Sequence, residues 1–280
     1  MGHIHWYPGH IAKAQRDLKE KLSLVDIVLE VLDARIPISS AYNNVQNLIG
    51  NKPRLILMNK SDLSDPKYNK VWAQKIEEQT LAPVIITDLN NQKDINLIID
   101  KIIEITNPII LELLKKGLLP RPARTMVIGM PNVGKSSTIN RLIRKGKTKT
   151  GAKAGVTRQQ QWVRINNKVE LLDTPGIIPT VQDDQNRAIK LACVNSIGEN
   201  AYDNEFVARE LLKLLEQDNY GKLTREYYKM PLDMELTIEN IASTRNWIIK
   251  GAQPDVTRAS QFILTSFREG KIGKITLELP

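Results

Sequence analysis

Residues 129–136 read GMPNVGKS and stand between an apolar run, TMVIGM (125–130), and a helix-like segment, KSSTINRLI (135–143). The spacing fits Gly-x-x-x-x-Gly-Lys-Ser/Thr, and a strand on one side with a helix on the other is the context in which such a loop works. Its glycines let successive backbone N–H groups turn toward phosphate oxygens, and the helix start adds the positive end of its dipole. Val133, Gly134, Lys135, Ser136 and Ser137 are therefore expected around a phosphate chain. Lys135 should reach the β- and γ-phosphates and serve the chemistry there, with Ser136 on Mg²⁺. A chance glycine turn is the plainer alternative, and this context leaves it little room.

Such a loop confines the chain to alternating strands and helices. Three runs rich in β-branched residues precede it: DIVLEVLDA (26–34), PRLILMN (53–59) and APVIITD (82–88). Helix-like segments at 41–49 and 67–80 separate them, so the strands are expected to be parallel. DINLIIDKIIEIT (94–106) repeats apolar residues at helical spacing, with Asp94 read as its N-cap. KKGLLPRPAR (115–124) then reads as a connector, and QQWVRIN with KVELLDTPG as a hairpin. Beyond residue 180 the strand signal fades, and FVARELLKLLEQ (206–217) and TIENIASTRNWII (237–249) read as amphipathic helices. The expected fold is α/β: a mostly parallel sheet with helices on both faces over residues 1–180, followed by a smaller all-α domain over 181–280.

Two further motifs give the loop its partners. LLDTPG (171–176) places Asp173 to hold the metal and Gly176 to offer its N–H to a γ-phosphate. Between it and the phosphate loop, GVTRQQQW carries Thr157, a hydroxyl able to close on Mg²⁺ and the γ-phosphate. NKSD (59–62) follows the second strand. The Asp62 carboxylate can accept N1–H and the exocyclic amino hydrogens of guanine, which adenine cannot offer, so GTP and GDP are selected over adenine nucleotides, with Asn59 and Lys60 expected as further nucleotide-binding residues of the same motif. In most GTPases the phosphate loop comes first and the base reader last. Here the base reader leads. A parallel sheet can be cut in one loop and rejoined in another while its strand ends still converge on one edge, so the chain reads as a circularly permuted P-loop GTPase.

Charge and composition restrict the setting. The 280 residues carry a net charge of +9. Residues 181–280 hold 13 Lys and Arg against 15 Asp and Glu, net −2, which leaves net +11 for residues 1–180. The run RLIRKGKTKTGAK (141–153) is the densest part of that excess, and reads equally as a solvated helix end or as a contact for a phosphate backbone. The single cysteine, Cys193, excludes an internal disulfide framework and reads as helix packing. No apolar run reaches the length of a membrane span, so the expectation is a soluble, cytoplasmic protein without a membrane partner.

The order NKxD, phosphate loop, GxT, DTPG, together with HWYPGHIAKA (5–14), DARIP (33–37) and the helical C-terminal part, resembles the ribosome biogenesis GTPase A family. The resemblance spans the whole chain and is most specific before residue 180. It implies GTP hydrolysis stimulated by the precursor of the large ribosomal subunit, contact with rRNA and ribosomal proteins, and dependence on K⁺; the free chain is expected to be monomeric. It offers Asn132 as the residue holding K⁺ near the β- and γ-phosphates, and His10 as the group that orients the attacking water. Two positions depart from the pattern. The loop that caps guanine, usually Ser-Ala-Lys, falls at Thr87-Asp88-Leu89, so only backbone roles are expected of Thr87 and Asp88. Ile177 stands after Gly176, where Ras-like enzymes carry a water-orienting Gln. His10 has a plain helix-capping alternative. His3, His5 and His10 have Asp17 as their one nearby acid and no cysteine, a poor set for a structural metal. Asp33 and Arg35 fall at a strand end on the nucleotide edge, where positioning and packing are both open. A GTPase of another pathway that uses its helices to bind protein, and a nucleotide-gated RNA-binding scaffold, fit the same motifs. Stimulation of turnover by large subunits separates these readings.

Overall fold

The computed structural model describes residues 4, 11–42, 44–147, 162–173, 176–177 and 184–280. In chain order the elements are α1 (Ile11–Leu22), β1 (Ile27–Asp33), α2 (Val45–Ile49), β2 (Arg54–Asn59), α3 (Pro66–Thr80), β3 (Val84–Ile86), α4 (Gln92–Lys115), β4 (Ala123–Gly129), α5 (Lys135–Lys147), β5 (Trp162–Arg164), β6 (Val169–Leu172) and β7 (Gly176–Ile177). After them come α6 (Gln185–Cys193), α7 (Asn204–Gln217), α8 (Gly221–Tyr228), α9 (Ile238–Thr244), β8 (Ile248–Ile249), β9 (Gln253–Pro254) and α10 (Val256–Arg268).

The main sheet has the order β3-β2-β1-β4-β6-β5, with β7 also pairing β4. Only β5 runs antiparallel, as the hairpin partner of β6. β1 and β2 are buried throughout, which is why their sequences are continuous apolar runs rather than alternations. Alternate residues serve opposite faces. Leu29, Val31, Leu55 and Leu57 pack with Ile95 and Ile98 of α4 and Leu142 of α5. On the other face Val28 and Ile128 meet Leu18 of α1 and Val45 of α2, while Leu32, Ile56 and Met58 meet Trp72 of α3. Helices cover both faces, as expected.

The cluster on the α4 side continues without a break into the C-terminal helices, through Leu191, Leu211, Ile241 and Ile263. The tail after α10 then returns to the sheet. Ile275 N donates to Leu63 O at 3.0 Å and Leu277 N to Arg35 O at 2.8 Å. Glu278 accepts from Ile38 N at 2.7 Å, from Ser39 N and from the Ser39 hydroxyl, and its own carbonyl accepts from Trp72 Nε1 at 2.8 Å. Among the described residues no helix is long and apolar enough to cross a membrane.

Several local expectations are corrected. The N-cap of α4 is Asn91, whose side chain accepts from Lys93 N at 3.0 Å; Asp94 lies in the first turn and accepts from Asp88 N at 2.8 Å instead. The helix also runs on past Thr106 through Pro108 to Lys115. Pro108 is exposed, and the lost N–H bond falls where the helix faces water, so its carbonyl partner does not go unsatisfied in a core. The connector is correspondingly short. In the 41–49 segment only Val45–Ile49 is helical. The helix expected over 237–249 stops at Thr244, because Asn246 takes a left-handed φ of 55° and turns Ile248–Ile249 into a hairpin with β9. Among the described residues of the C-terminal part, the regular structure is helical apart from the β8–β9 hairpin, and the tail after α10 is non-helical.

Cys193 lies in α6, fully buried, and burial pushes its thiol up to about 12. It should resist an aromatic disulfide reagent at mildly alkaline pH and react only as the chain unfolds, since the thiolate is the reactive form. Glu278→Ala should lower stability by about 2–3 kcal/mol in urea unfolding, because charge-assisted bonds to the backbone at 38 and 39 are lost. An unchanged midpoint would show that the tail is not seated as described.

Candidate guanine-nucleotide site

β1, β2, β4 and β6 deliver their motif loops to one edge of the sheet. The strand order reverses between β1 and β4, and ligands of open α/β sheets bind at such a reversal, beyond the carboxyl ends of the strands. The phosphate loop leaves β4 there. Gly129 has φ 150°, and a Cβ on it would lie 2.6 Å from Val31 O of the neighbouring strand, so the first glycine is required by close strand packing. Gly134 has φ 109°, and a Cβ there would collide with Asn59 Nδ2. The second glycine is required by the base-reading loop itself.

That contact is a hydrogen bond between the two motifs. Asn59 is buried at the end of β2, and its Nδ2 donates to Val133 O at 2.8 Å. Lys60, with φ 63°, donates from Nζ to Asn132 O at 2.6 Å and to Asp33 Oδ2 at 2.8 Å. Asp62 stands exposed at the loop's edge, available to a base. The Thr87-Asp88 loop joins by its backbone: Thr87 N donates to Met58 O at 2.9 Å, and Ser61 N to Thr87 O at 3.3 Å. The site residues far apart in sequence are brought to one place.

Lys135 is 7% exposed, its Nζ donates to Met130 O within the loop, and burial lowers its pKa to about 8. Ser136 and Ser137 are exposed on the first turn of α5. Asp173 follows β6, whose ladder with β4 sets it on the same edge, and Gly176 pairs with Ile128 beside the start of the phosphate loop. A hydroxyl and a carboxylate are hard oxygen donors of the kind Mg²⁺ takes. Asn132 holds φ 57°, and its Nδ2 donates to Asn195 O at 2.6 Å, beyond the end of α6. His10 and Thr157 lie outside the described residues, as do Thr174 and Pro175 of DTPG, and residues 148–153 of the basic run.

Asp33 of DARIP is brought into contact with the lysine of NKSD. It is fully buried; burial favours the neutral acid, but Arg35 and Lys60 overcome this and hold its carboxyl well below the usual range. Arg35 binds it bidentately, Nη2 to Oδ2 at 2.8 Å and Nε to Oδ1 at 2.9 Å. The ionised Asp33 therefore fixes the lysine of NKSD. Sequence reasoning did not find Asn195, Tyr220 or the tail as neighbours of the site. Nothing local marks them, since each acts through the tertiary return of the chain.

Comparison with known proteins agrees with this geometry. A family described as 50S ribosome-binding GTPase matches residues 124–232. The ribosome biogenesis GTPase A of Bacillus pumilus is 37% identical over 279 residues, spanning 99% of this chain and 99% of its own. That of Thermotoga maritima is 32% identical over 278 residues, spanning 99% and 95%. Among solved structures, GDP-bound YlqF superposes with a TM-score of 0.65 at 28% identity, covering 95% of this chain and 99% of that one. GNP-bound YlqF from T. maritima gives the same TM-score and identity, covering 95% and 97%.

Asp62→Asn should weaken GDP binding severely and raise affinity for the xanthine nucleotide, whose carbonyl an amide can meet with a donor while a carboxylate repels it. Titration of both nucleotides checks this. Wild-type GDP affinity in the variant would remove Asp62 from the site.

Proposed function

The chain belongs to the ribosome biogenesis GTPase A family, and on that footing we propose that it is a GTP-dependent switch that binds the precursor of the large ribosomal subunit during maturation. It is a GTPase that binds GTP and GDP. The observation that carries the reading is the pair of bonds from Asn59 and Lys60 to the backbone of the phosphate loop, which makes base reader and phosphate cradle one unit.

In this reading Val133 to Ser137 hold the phosphates through backbone N–H groups, and Lys135 exchanges Met130 O for phosphate oxygens. Ser136, Thr157 and Asp173 would hold Mg²⁺, which would supply positive charge to the phosphate chain. Asn132 would offer its amide oxygen to K⁺, a cation that would supply the charge other GTPases take from an arginine. Ile177 has no polar group, and the family resemblance offers His10 as the residue that orients the water. Hydrolysis of this kind needs positioning more than base catalysis. Residues 1–180 form the switch, and the helices of 181–280 meet rRNA and ribosomal protein.

GTP turnover should rise when large-subunit precursors are added, and the stimulated rate should fall when NaCl replaces KCl at equal ionic strength. His10→Ala should keep GTP affinity and cut stimulated turnover about tenfold, a barrier increase of roughly 1.4 kcal/mol. Turnover indifferent to subunits would place the chain in another pathway.

A further inference from the structure

The base-reading loop is held from two sides, and only one of them is the phosphate loop. On the inner side Lys60 Nζ divides its donors between Asn132 O and Asp33 Oδ2. Asp33 is in turn gripped by Arg35, which is 1% exposed. The Arg35 guanidinium lies 5.4 Å above the Phe267 ring, and its Nη1 donates to Arg268 O at 3.3 Å, both at the end of α10. Arg268 continues inward, donating to Ala192 O and Cys193 O at 3.0 and 3.1 Å. On the outer side the tail runs along the loop. Ile275 N donates to Leu63 O, and Thr276 Oγ1 accepts from Asp65 N at 3.1 Å. The Tyr220 hydroxyl, which precedes α8, donates to Asp65 Oδ2 at 3.0 Å.

A lysine ammonium on four carbons is flexible, and an exposed Asp62 reads a base only if its own loop is fixed. Here the fixing groups come from β1 and from the C-terminal helices. We infer that Asp33 is a positioning residue of the guanine site, and that Arg35, Tyr220 and the tail at 275–278 extend the site's support into the C-terminal helices, so that guanine affinity depends on how those helices are seated. Coupling of this kind is reciprocal: bound guanine nucleotide must favour the seated arrangement by the same factor. A macromolecule that shifts those helices therefore shifts nucleotide affinity without touching the nucleotide. This rests on NKSD as the guanine reader and on no particular ribosomal partner.

GDP and IDP titrations of the full chain test it. IDP lacks the exocyclic amino group, so the ratio of the two Kd values reports base reading apart from phosphate binding. Asp33→Asn should weaken GDP about tenfold or more, and Tyr220→Phe, which removes one hydroxyl bonded to Asp65 outside the NKSD motif, about threefold. Both should shrink the preference for GDP over IDP. Tyr220→Phe keeps its ring in the core and decides the matter if Asp33→Asn does not fold. A Tyr220→Phe protein with wild-type Kd values overturns the inference, and so does one in which GDP and IDP weaken equally, which is the mark of a merely structural role. Wild type that binds GDP and IDP alike would overturn the guanine assignment itself.

Discussion

The parallel ladder between β1 and β4 is the joint on which the molecule depends. Ile27 to Val31 pair with Thr125 to Gly129, strands separated in sequence by two further strands and three helices. Parallel pairing of this kind closes a long loop before any contact rewards it, so the joint must be strongly favoured by burial. It is: Ile27, Leu29, Val31, Val127 and Ile128 are all fully buried, and each such side chain contributes about 1.5–3 kcal/mol. Once the ladder forms, the ends of β1 and β4 lie side by side, which puts Asp33 and the phosphate loop at one edge. Everything chemical follows from that adjacency. Moving the chain ends elsewhere costs the site nothing while this ladder holds.

Buried charge then converts adjacency into order. Asp33, Arg35 and Lys60 form a group whose isolated members would be expensive to bury, and whose mutual bonds tie together two backbone segments, the end of β1 and the base-reading loop. Asn59 acts similarly without charge, because the space that a Cβ on Gly134 would need is filled by its amide. The two motifs therefore specify each other sterically and electrostatically. Removing either glycine freedom or the Asn amide would loosen the other.

Much of this was legible in the residues. Strand and helix alternation, the phosphate loop, the NKSD loop and the β5–β6 hairpin are all local patterns, and each is found where its residues suggested. What was not legible is what depends on return of the chain. KITLELP (274–280) looks like an ordinary apolar end, yet Glu278 caps the turn after DARIP, and Leu277 bonds Arg35 O. The exchange of Asp94 for Asn91 as a cap was decided by Asp88 N, a partner that only the folded loop supplies. The helical run over 94–106 continues through Pro108 to Lys115, on a part of the helix that faces water.

Permutation also changes what lies downstream of the γ-phosphate loop. In the ordinary order, the segment after DTPG leads to further strands of the sheet. Here the strand Gly176–Ile177 is followed, after a short segment, by α6, the first helix of the C-terminal part. That helix is anchored at its start by the Asp184 side chain, which accepts from Asn186 N and Arg187 N, while Arg187 donates to Ser39 O at 3.0 Å and to Ala41 O. Its end carries the carbonyls gripped by Arg268, and just beyond it Asn195 O accepts from Asn132 of the phosphate loop. α6 is thus bonded at its start to the turn after β1 and at its end to α10, and the residue just beyond it meets the phosphate loop, so the first helix of the C-terminal part is packed onto the same edge of the sheet from both of its ends.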